Sequence, residues 1–599
     1  MNSTNTATAT TTTLNNPAFR AFKEKHFTTH DNIELFYRHW PAETKTSKGA
    51  VVLFHRGHEH SGRITHIVDE LNMQDYDCFA WDARGHGSSP GKRGFSPGLA
   101  TSVRDIQTFV DHITVNYGFK EEDMAIIAQS VGAVLVSTWV HDYAPKIRSM
   151  VLASPAFKVK LYVPFARTGI KLMQAIRGCF YVNSYVKARY LTHDPERIAS
   201  FESDPLISRA ISSNILLSLY EAADRVIDDA AAISVPTQLL ISGSDWVVHH
   251  KPQHKFYERL GSLVKERHIL DGFYHDTLGE KDRKIAIDKA REFIVKQFAA
   301  PVCRQELSNA DKTGFTRLES DQLATPLSPL SIQGMYWTIT RLSLKAAGKI
   351  SKGVKLGHET GFDSGSTLDY VYRNKPQGIS AIGKLIDKNY LNSIGWRGIR
   401  QRKLNIEELL SSASESLRAQ AKPVNIMDIA SGHGRYILEA IEESKQKPDS
   451  ILLRDYSDLN VQKGSELITE KGLNNIARFV KANAFDAGSY EKHDQPITLG
   501  VVSGLYELFT DNDRIRQSLQ GLSSSIQTGG YLIYTNQPWH PQLEMIARAL
   551  TSHRKGTAWV MRRRSQTEMD QLVEDAGFTK IAQRIDEYGI FTVSLAIRN

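Results

Sequence analysis

The chain has 599 residues, a formal net charge of +8, 41% hydrophobic and 23% charged residues, an ordinary composition for a globular protein. This length accommodates two α/β domains of about 250–300 residues each. The apolar runs are shorter than the about 20 residues that a bilayer span needs, so we predict no transmembrane helix. Three scattered cysteines, Cys78, Cys179 and Cys303, predict a reducing compartment, hence a cytoplasmic protein, and no metal cluster.

The N-terminal half is predicted to hold a disordered tail and one α/β domain. Residues 1–16 are rich in Thr and Asn and lack the features of a signal peptide, which predicts the tail. From 17 to 299, apolar strands alternate with helical patterns, as in a mostly parallel sheet. Between about 156 and 235, helical patterns such as 204–211 replace this alternation and predict a lid over the sheet.

The sequence Ala-Gln-Ser-Val-Gly at 128–132 joins an apolar strand to a helical pattern. Small residues around a serine at such a turn are typical of a nucleophile elbow, which makes Ser130 the candidate nucleophile. Asp245 follows a later strand and His275 follows the next one. The order serine, acid, histidine is that of α/β-hydrolases, so the sequence predicts a serine hydrolase with this catalytic triad.

A serine hydrolase also needs amide donors for the developing oxyanion. We expect one donor from Val131, directly after the nucleophile, and the other from Gly57 in the loop 55–63. The histidines of and near this loop leave a metal site open as an alternative: His55, His58, His60 and His66.

Two loops carry a family resemblance. The loop His-Arg-Gly-His-Glu-His-Ser-Gly-Arg at 55–63 resembles the His-Gly-x-Gly-Glu-His-Ser-x-Arg loop of monoglyceride lipase and lysophospholipase-like α/β-hydrolases. The segment Asp-Ala-Arg-Gly-His-Gly-Ser-Ser at 82–89 is similar to a second motif of that family. The resemblance covers 27–298 and implies hydrolysis of an acylglycerol or lysophospholipid ester; a thioesterase or peptidase is the alternative. Arg56, which replaces a loop glycine, is expected to narrow the site or select an anionic substrate.

Residues 300–334 mix Ser, Thr, Asp and Pro without periodicity and are predicted to be a linker. A helical, basic region follows at 335–422, and a second strand–helix alternation occupies 423–599. Arginine and lysine clusters, around 397–403 and at 562–564, are interpreted as solvated faces or contacts with an anionic substrate. We therefore expect no nucleic acid partner, and we leave peripheral contact with a membrane surface open.

A second motif follows the apolar strand at 424–427. In Asp-Ile-Ala-Ser-Gly-His-Gly at 428–434, small residues let a cofactor approach the backbone at a helix N-terminus. Such a turn alone does not separate a dinucleotide from S-adenosylmethionine. The next strand ends in Asp455, which is placed to accept both ribose hydroxyls. Five predicted parallel strands and a terminal antiparallel hairpin favour a Rossmann-like methyltransferase over a dehydrogenase.

The loop at 428–434 resembles the acid-x-Gly-x-Gly-x-Gly motif of class I methyltransferases, with alanine for the first glycine. The segment 479–486 is similar to the family segment that contacts the adenine, with Asn483 in place of Asp. The resemblance implies S-adenosylmethionine as cofactor and the following contacts: Asp428, Ala430, Gly432, Gly434, Asp455, Asn483, Ala484 and Ser503. The second half as a whole resembles methyltransferases fused to lipase-like hydrolases.

The methyl acceptor is expected beside the cofactor, at residues that follow the fourth and fifth strands. These candidates are Tyr506, Glu507, Trp539 and His540. The sequence thus predicts a two-domain enzyme, an ester hydrolase joined to a methyltransferase. A rival interpretation makes the second half a binding module that senses S-adenosylmethionine and regulates the hydrolase.

Overall fold

The computed structural model describes residues 19–161, 163, 165–184, 186–302, 304–444, 446–490, 495–554 and 556–599. The predicted tail at 1–16 and Cys303 lie outside the described residues. Within these ranges no helix is long and apolar enough to cross a membrane.

Eight strands of the N-terminal half form one sheet in the order β1-β2-β4-β3-β5-β6-β9-β10. Neighbours from β4 to β10 are parallel, while β1 and β2 are antiparallel additions at one edge, so the predicted mostly parallel sheet is confirmed. The ten strands of this half, two of which pair outside the sheet, are β1 (Lys23–Thr28), β2 (Glu34–Trp40), β3 (Ala50–Phe54), β4 (Asp77–Trp81), β5 (Met124–Gln129), β6 (Ser149–Ala153), β7 (Tyr181–Asn183), β8 (Ala210–Ser212), β9 (Thr237–Ser242) and β10 (Lys265–Leu270).

Helices cover both faces of this sheet. Because successive side chains of a strand point to opposite faces, Ile126 of β5 and its neighbour Ile127 pack into two separate apolar clusters. The helices of this half are α1 (Thr65–Leu71), α2 (Leu99–Tyr117), α3 (Val131–Tyr143), α4 (Ala166–Arg177), α5 (Pro195–Ser203), α6 (Ser213–Asp228), α7 (His250–Arg259) and α8 (Lys284–Ala299). Ile126 shares its cluster with Phe109 of α2, and Ile127 shares its cluster with Phe293 of α8.

The region predicted as a helical lid contains α4, α5 and α6 together with the antiparallel pair of β7 and β8. The predicted helix at 204–211 is wrong: this segment turns after α5 and then enters β8. The carboxylate of Asp204 accepts the amide of Leu206 at 2.9 Å, a local bond that competes with helical hydrogen bonding.

The expected aperiodic linker at 300–334 contains two helices, α9 (Ala310–Thr313) and α10 (Phe315–Ala324). It packs against the C-terminal half, where the Asp311 carboxylate accepts the amide of Asn512 at 2.9 Å. Thr316 and Ser320 of α10 are buried. Since the buried residues are polar, the segment shows no apolar periodicity although it forms helices.

Five helices precede the second sheet: α11 (Ile332–Ala347), α12 (Lys352–Thr360), α13 (Gly365–Arg373), α14 (Ala381–Leu391) and α15 (Ile394–Ala419). The strands of that sheet are β11 (Asn425–Ile429), β12 (Ser450–Asp455), β13 (Ala477–Lys481), β14 (Ile497–Val502), β15 (Ile526–Asn536), β16 (Phe578–Ile585) and β17 (Thr592–Arg598). Five helices are interleaved with them: α16 (Arg435–Glu443), α17 (Asp458–Glu470), α18 (Asn512–Ser525), α19 (Leu543–Ala549) and α20 (Gln566–Asp575).

The second sheet has the order β13-β12-β11-β14-β15-β17-β16. The first five strands are parallel, and β17 joins antiparallel between β15 and β16, so the predicted terminal hairpin is confirmed. The strand order reverses between β11 and β14. In open α/β sheets this switch point opens the crevice in which ligands bind.

Candidate active sites

Ser130 lies at the sharp turn between β5 and α3. Its backbone has φ 55° and ψ −115°, a conformation that a residue with a side chain adopts only under strain. The turn is also tightly packed, because a Cβ atom on Gly132 would lie 2.4 Å from the carbonyl oxygen of His55. A small residue is therefore required there.

The structure brings the three predicted triad residues together. Oγ of Ser130 lies 2.7 Å from Nε2 of His275, and Nδ1 of that ring lies 2.8 Å from Oδ2 of Asp245. The other carboxylate oxygen accepts the amides of Val247 and Val248 at 2.7 and 2.9 Å. Burial opposes ionisation of Asp245, but His275 and these amides hold its pKa below the usual value. An ionised carboxylate thus orients the imidazole toward the serine.

The two predicted oxyanion donors are neighbours. A Cβ atom placed on Gly57 would lie 3.0 Å from Cγ2 of Val131, so the two backbones approach closely beside Ser130. Val131 is the first residue of α3, where an amide has no acceptor within the helix. This arrangement can offer two amides to an oxyanion.

Arg56, expected to narrow the site or select an anion, is instead buried in an ion network. Its Nη2 donates to Oε1 of Glu59 at 2.7 Å, and the same oxygen accepts Nε of Arg63 at 2.9 Å. Burial raises the pKa of Glu59, but the surrounding guanidinium groups, including that of Arg197, bring it below its usual value. The Arg56 charge is therefore already balanced within the protein.

This network also holds the loop that carries the histidine. Nε of Arg197 donates to Oδ2 of Asp276 at 2.8 Å, and Nε2 of Gln129 donates to Oδ1 at 2.9 Å. Sequence reasoning missed Asp276 and Gln129. Their signal is position alone, because each is the chain neighbour of a triad residue, His275 or Ser130.

The four loop histidines considered as metal ligands have separate partners. Nε2 of His55 accepts the amide of Ala83 at 3.0 Å, and Nε2 of His60 lies 3.0 Å from Oδ2 of Asp204. In the described part of the chain these histidines do not converge on a common ligand position.

In the second domain the loop after β11 has a strongly turned backbone. Ala430, Gly432 and Gly434 have φ values of 53°, 57° and 72°. A Cβ atom on Gly434 would lie 2.5 Å from Cδ1 of Leu453, which explains the glycine. A Cβ atom on Gly432 would meet only the Cα of Gly365 at 3.4 Å, so space for a ligand remains beside this turn.

Asp455 lies beside this loop at the end of β12. Its Oδ2 accepts the amide of Gly432 at 2.9 Å, and its Oδ1 accepts Nδ2 of Asn460 at 3.0 Å. The side chain of Ser503, at the end of β14, is buried, and its Oγ has no partner among the described residues. An acid held at the glycine loop and an unsatisfied hydroxyl across the switch point fit an adenosyl cofactor with ribose hydroxyls and a polar tail.

The first acid of the motif is placed differently from expectation. Asp428 is fully buried, and both of its oxygens accept the hydroxyl of Tyr436, at 2.8 and 2.7 Å. Burial raises its pKa to about 8. Asp428 therefore stabilises the loop from the protein core. In this geometry it does not form the direct contact with the cofactor that the sequence predicts.

The segment expected at the adenine follows β13. Asn483 is exposed, and its Oδ1 accepts the amide of Phe485 at 3.1 Å. The carbonyl of Ala484 accepts the hydroxyl of Tyr490 at 2.7 Å. These bonds shape the loop, in which Asn483 remains exposed.

A cavity of about 310 Å³ opens between the second sheet and the preceding helices. Its walls are mainly apolar and aromatic, with contributions from Tyr390, Trp396, Trp559 and Phe591. Of the residues predicted at the methyl acceptor, Glu507 and His540 line this cavity.

Tyr506 and Trp539 do not line it, which corrects that part of the prediction. Tyr506 is buried in the core, and its hydroxyl donates to Oγ of Ser518 at 3.1 Å. The ring of Trp539 packs near the guanidinium of Arg225, 5.7 Å away in the N-terminal half. In the tight turn at 506–508 neighbouring side chains diverge, so Glu507 faces the cavity while Tyr506 faces the core.

Polar groups with unused hydrogen-bonding atoms lie on the cavity wall. Nη1 of Arg402 is 3.5 Å from Oε1 of Glu507. Nε of Arg402, Oε2 of Glu507 and Nε2 of Gln537 are buried and have no partner among the described residues. Sequence reasoning placed Arg402 only in a basic cluster and missed Gln537. No local pattern identifies them, because α15 and the loop after β15 meet only in the folded chain.

The His540 side chain in the cavity wall is an uncharged imidazole. Burial lowers its pKa to about 3, and its Nδ1 accepts the amide of Gln542 at 3.0 Å. The proton of the neutral ring is therefore on Nε2, which makes His540 a donor toward the cavity.

The basic cluster at 562–564 is buried, which corrects the interpretation as a solvated face or anion contact. Nη1 of Arg562 donates to Glu568 at 3.1 Å, and Nη1 of Arg564 donates to the carbonyl of Tyr506 at 2.8 Å. Arg563 pairs with Asp229 of the N-terminal half. These arginines hold loops and domains together because each one donates to more than one acceptor elsewhere in the chain.

The two folds and their sites define the class of protein: an enzyme with an N-terminal serine hydrolase domain and a C-terminal methyltransferase domain. A family model described as "Putative methyltransferase" matches residues 290–598, more than half of the chain, so the chain belongs to this methyltransferase family. A second model, described as "Serine aminopeptidase, S33", matches residues 45–282. The predicted fusion of a lipase-like hydrolase with a methyltransferase and the predicted fold class are confirmed.

Relatives match the whole chain or its first half. The Escherichia coli (strain K12) protein named "Uncharacterized protein YnbC" is 56% identical over 575 residues, which cover 96% of this chain and 98% of that protein. The monoacylglycerol lipase of Mycolicibacterium smegmatis is 25% identical over 279 residues, 45% of this chain and 96% of that lipase. The crystal structure of the Paleococcus ferrophilus monoacylglycerol lipase is 24% identical, with a TM-score of 0.39, and covers 46% of this chain and 99% of that one.

Proposed function

We propose that the first domain hydrolyses carboxylic esters with Ser130 as nucleophile. Oγ of Ser130 attacks the ester carbonyl while Nε2 of His275 takes its proton, and Asp245 stabilises the imidazolium. The amides of Gly57 and Val131 hold the oxyanion. The proton then passes to the leaving alcohol, and water releases the acyl group by the reverse sequence. The short hydrogen-bonded chain from Ser130 to Asp245 is the observation that carries this proposal.

The proposed substrate is a monoacylglycerol or a lysophospholipid. Helix α4 and the turn before it expose apolar side chains to solvent, among them Phe165, Leu172 and Ile176, as suits a lid that meets acyl chains. Named relatives of the first half are monoacylglycerol lipases. A cytoplasmic location, which the cysteines predict, and the absence of a nucleic acid partner stay predictions.

Labelling with a fluorophosphonate probe, read by mass spectrometry, tests the nucleophile. We expect modification at Ser130 that disappears in Ser130→Ala, whereas the exposed Ser88→Ala control labels as the wild type does. Hydrolysis of a monoacylglycerol is then compared with that of a matched thioester and an amide. Labelling at another serine would contradict the assignment, and faster cleavage of the thioester or amide would favour the alternative hydrolase classes.

For the second domain we infer methyl transfer from S-adenosylmethionine. Asp455 and the glycine loop would hold the ribose and the amino acid part, with Ser503 across the switch point. The bound cofactor supplies an electrophilic methyl group. The acceptor belongs in the cavity of about 310 Å³, where aromatic walls favour an apolar body and Arg402 with Gln537 can hold its polar group. Glu507 is placed to accept the acceptor's proton through its free Oε2.

Calorimetry with S-adenosylmethionine tests this inference directly. We expect saturable binding that Asp455→Ala abolishes. The control is Asp458→Ala, which removes an exposed acid three residues further along the chain and should leave binding unchanged. Absence of binding to the wild type would refute the proposal. Binding that alters ester hydrolysis, without methyl transfer to any lipid or aromatic acceptor, would favour the regulatory module.

A further inference from the structure

Helix α11 presents an unpartnered apolar face to solvent. Ile332, Met335, Tyr336, Ile339 and Leu342 are 48% to 83% exposed and occupy positions i, i+3, i+4, i+7 and i+10 of the helix. That spacing places them on one side of the helix. The other side is packed on the domain, so the exposed stripe is additional to the residues that stabilise the fold.

Helix α14 adds a second apolar surface beside the first. Ile379, just before the helix, and Ile382 and Leu385 within it are 58% to 82% exposed. The amide of Ile379 donates to the carbonyl of Ile350 at 3.1 Å, directly after α11. A Cβ atom on Gly383 would lie 2.3 Å from the same carbonyl oxygen. The segment that follows α11 therefore touches the start of α14, and we call the two exposed apolar surfaces together the α11–α14 face.

The exposed charges on these two helices are positive. Arg341 and Lys345 on α11, and Lys384 and Lys388 on α14, are exposed. The single acid on the two helices, Asp387, is fully buried and accepts bonds from within the domain, so it adds no negative charge to the surface. An exposed apolar stripe with cationic flanks is the pattern of a helix that lies in a lipid headgroup region.

We propose that the α11–α14 face docks on an anionic phospholipid membrane. Apolar side chains would enter the interface while the lysines and arginine contact lipid phosphates. A second copy of the chain is a poorer occupant, because a symmetric contact would bring like charges together. The partner of the α11–α14 face is thus the lipid bilayer.

The same helices connect this face to the cavity. Leu344 and Ala347 of α11 and Ile386 of α14 line the cavity wall from inside. A membrane-docked protein would therefore hold the cavity at the lipid surface. If the second domain transfers methyl groups as proposed above, its acceptor is an amphiphile whose acyl chain enters this cavity from the bilayer.

Vesicle flotation with the full chain tests the docking. The wild type is expected to float with phosphatidylcholine vesicles that contain phosphatidylglycerol and to stay unbound with phosphatidylcholine alone. Lys345→Gln with Lys384→Gln should lower binding roughly 30-fold, since each cation near an anionic surface contributes about a factor of five. Ile339→Ser with Ile382→Ser should abolish it. The control, Val115→Ser with Leu263→Ser, replaces exposed apolar residues that lie outside both proposed sites and the α11–α14 face, and it should retain binding.

Three results would overturn the proposal: no flotation of the wild type, flotation lost only in the Val115→Ser, Leu263→Ser control, or a dimer in light scattering that the Ile339→Ser, Ile382→Ser variant dissociates. Hydrolysis of a water-soluble ester by each variant verifies that it is folded. Flotation requires neither methyl transfer nor ester cleavage, so its failure leaves the proposed activities untouched, and failure of cofactor binding leaves the docking result valid.

Discussion

Arg563 of the methyltransferase domain pairs with Asp229 at the end of α6 in the hydrolase domain, with Nη1 2.8 Å from Oδ1. The second oxygen of Asp229 lies 2.8 Å from Nε2 of His141. Nη1 of Arg563 also donates to the carbonyl of Pro538 at 2.9 Å, in the loop that carries His540 to the acceptor cavity. One buried ion pair thus links the hydrolase domain to the wall of the second active site.

Asp229→Ala should destabilise the protein by about 3 kcal/mol, because the buried guanidinium of Arg563 keeps only Glu319 of its two carboxylate partners and His141 loses its bond to Oδ2. Thermal or urea unfolding measures the change. Glu408→Ala removes a more exposed interdomain partner, that of Arg104, and should cost no more than about 1 kcal/mol. Equal losses in the two variants would show that the buried pair has no special role.

Asp245→Asn should lower the kcat of ester hydrolysis by about 10⁴-fold, the size found when the orienting acid of a serine protease triad is replaced. The amide cannot stabilise the imidazolium, although it can still accept the amides of Val247 and Val248. Asp271→Asn, in the exposed loop before His275, is the control and should keep its activity. A small effect at Asp245 would point to another acid.

Arg56→Leu should lower stability without changing substrate charge preference. The guanidinium is buried against Glu59, so its loss leaves that carboxylate short of one partner. The measurement is the ratio of kcat/KM for a neutral monoacylglycerol and for a lysophospholipid with a negative headgroup. A selective loss of kcat/KM for the anionic ester would show that Arg56 does determine substrate specificity.

The raised pKa of the buried Asp428 carboxyl predicts an unusual dependence of the free energy of unfolding on pH. Burial raises its pKa to about 8, whereas an unfolded aspartate titrates near pH 4. The folded state binds the proton more tightly, so the free energy of unfolding should fall as the pH rises from about 4 to 8. Asp428→Asn cannot ionise and should unfold with a flatter pH profile than the wild type in the cofactor-free protein. Parallel profiles for the two proteins would contradict the buried, protonated carboxyl.

Several features follow from local sequence alone. The strand–serine–helix turn at Ser130 and the turned loop at 428–434 each depend on a few consecutive small residues beside an apolar strand. The positions of Asp245 and His275 follow as well, since parallel strands bring their carboxyl ends to one edge of the sheet. For this reason the order of motifs along the chain was enough to predict the triad.

Other features depend on contacts between distant segments. Arg56 pairs with Glu59, three residues away, but its burial also depends on Asp276 and Arg197, which come from distant segments of the chain. The arginines at 562–564 have the local signature of a solvated surface, yet they are buried where acceptors on other elements converge.

The residue types and spacing of this sequence determined two α/β folds and the chemistry of their strand-end motifs, because apolar periodicity and backbone turns are local properties. Tertiary structure decided which side chains face each cavity. Tyr506 and Glu507 are adjacent in the sequence, but Tyr506 packs in the core while Glu507 lines the acceptor cavity. The direction of a side chain in a loop depends on what packs against it, and that is settled only when the whole domain has folded.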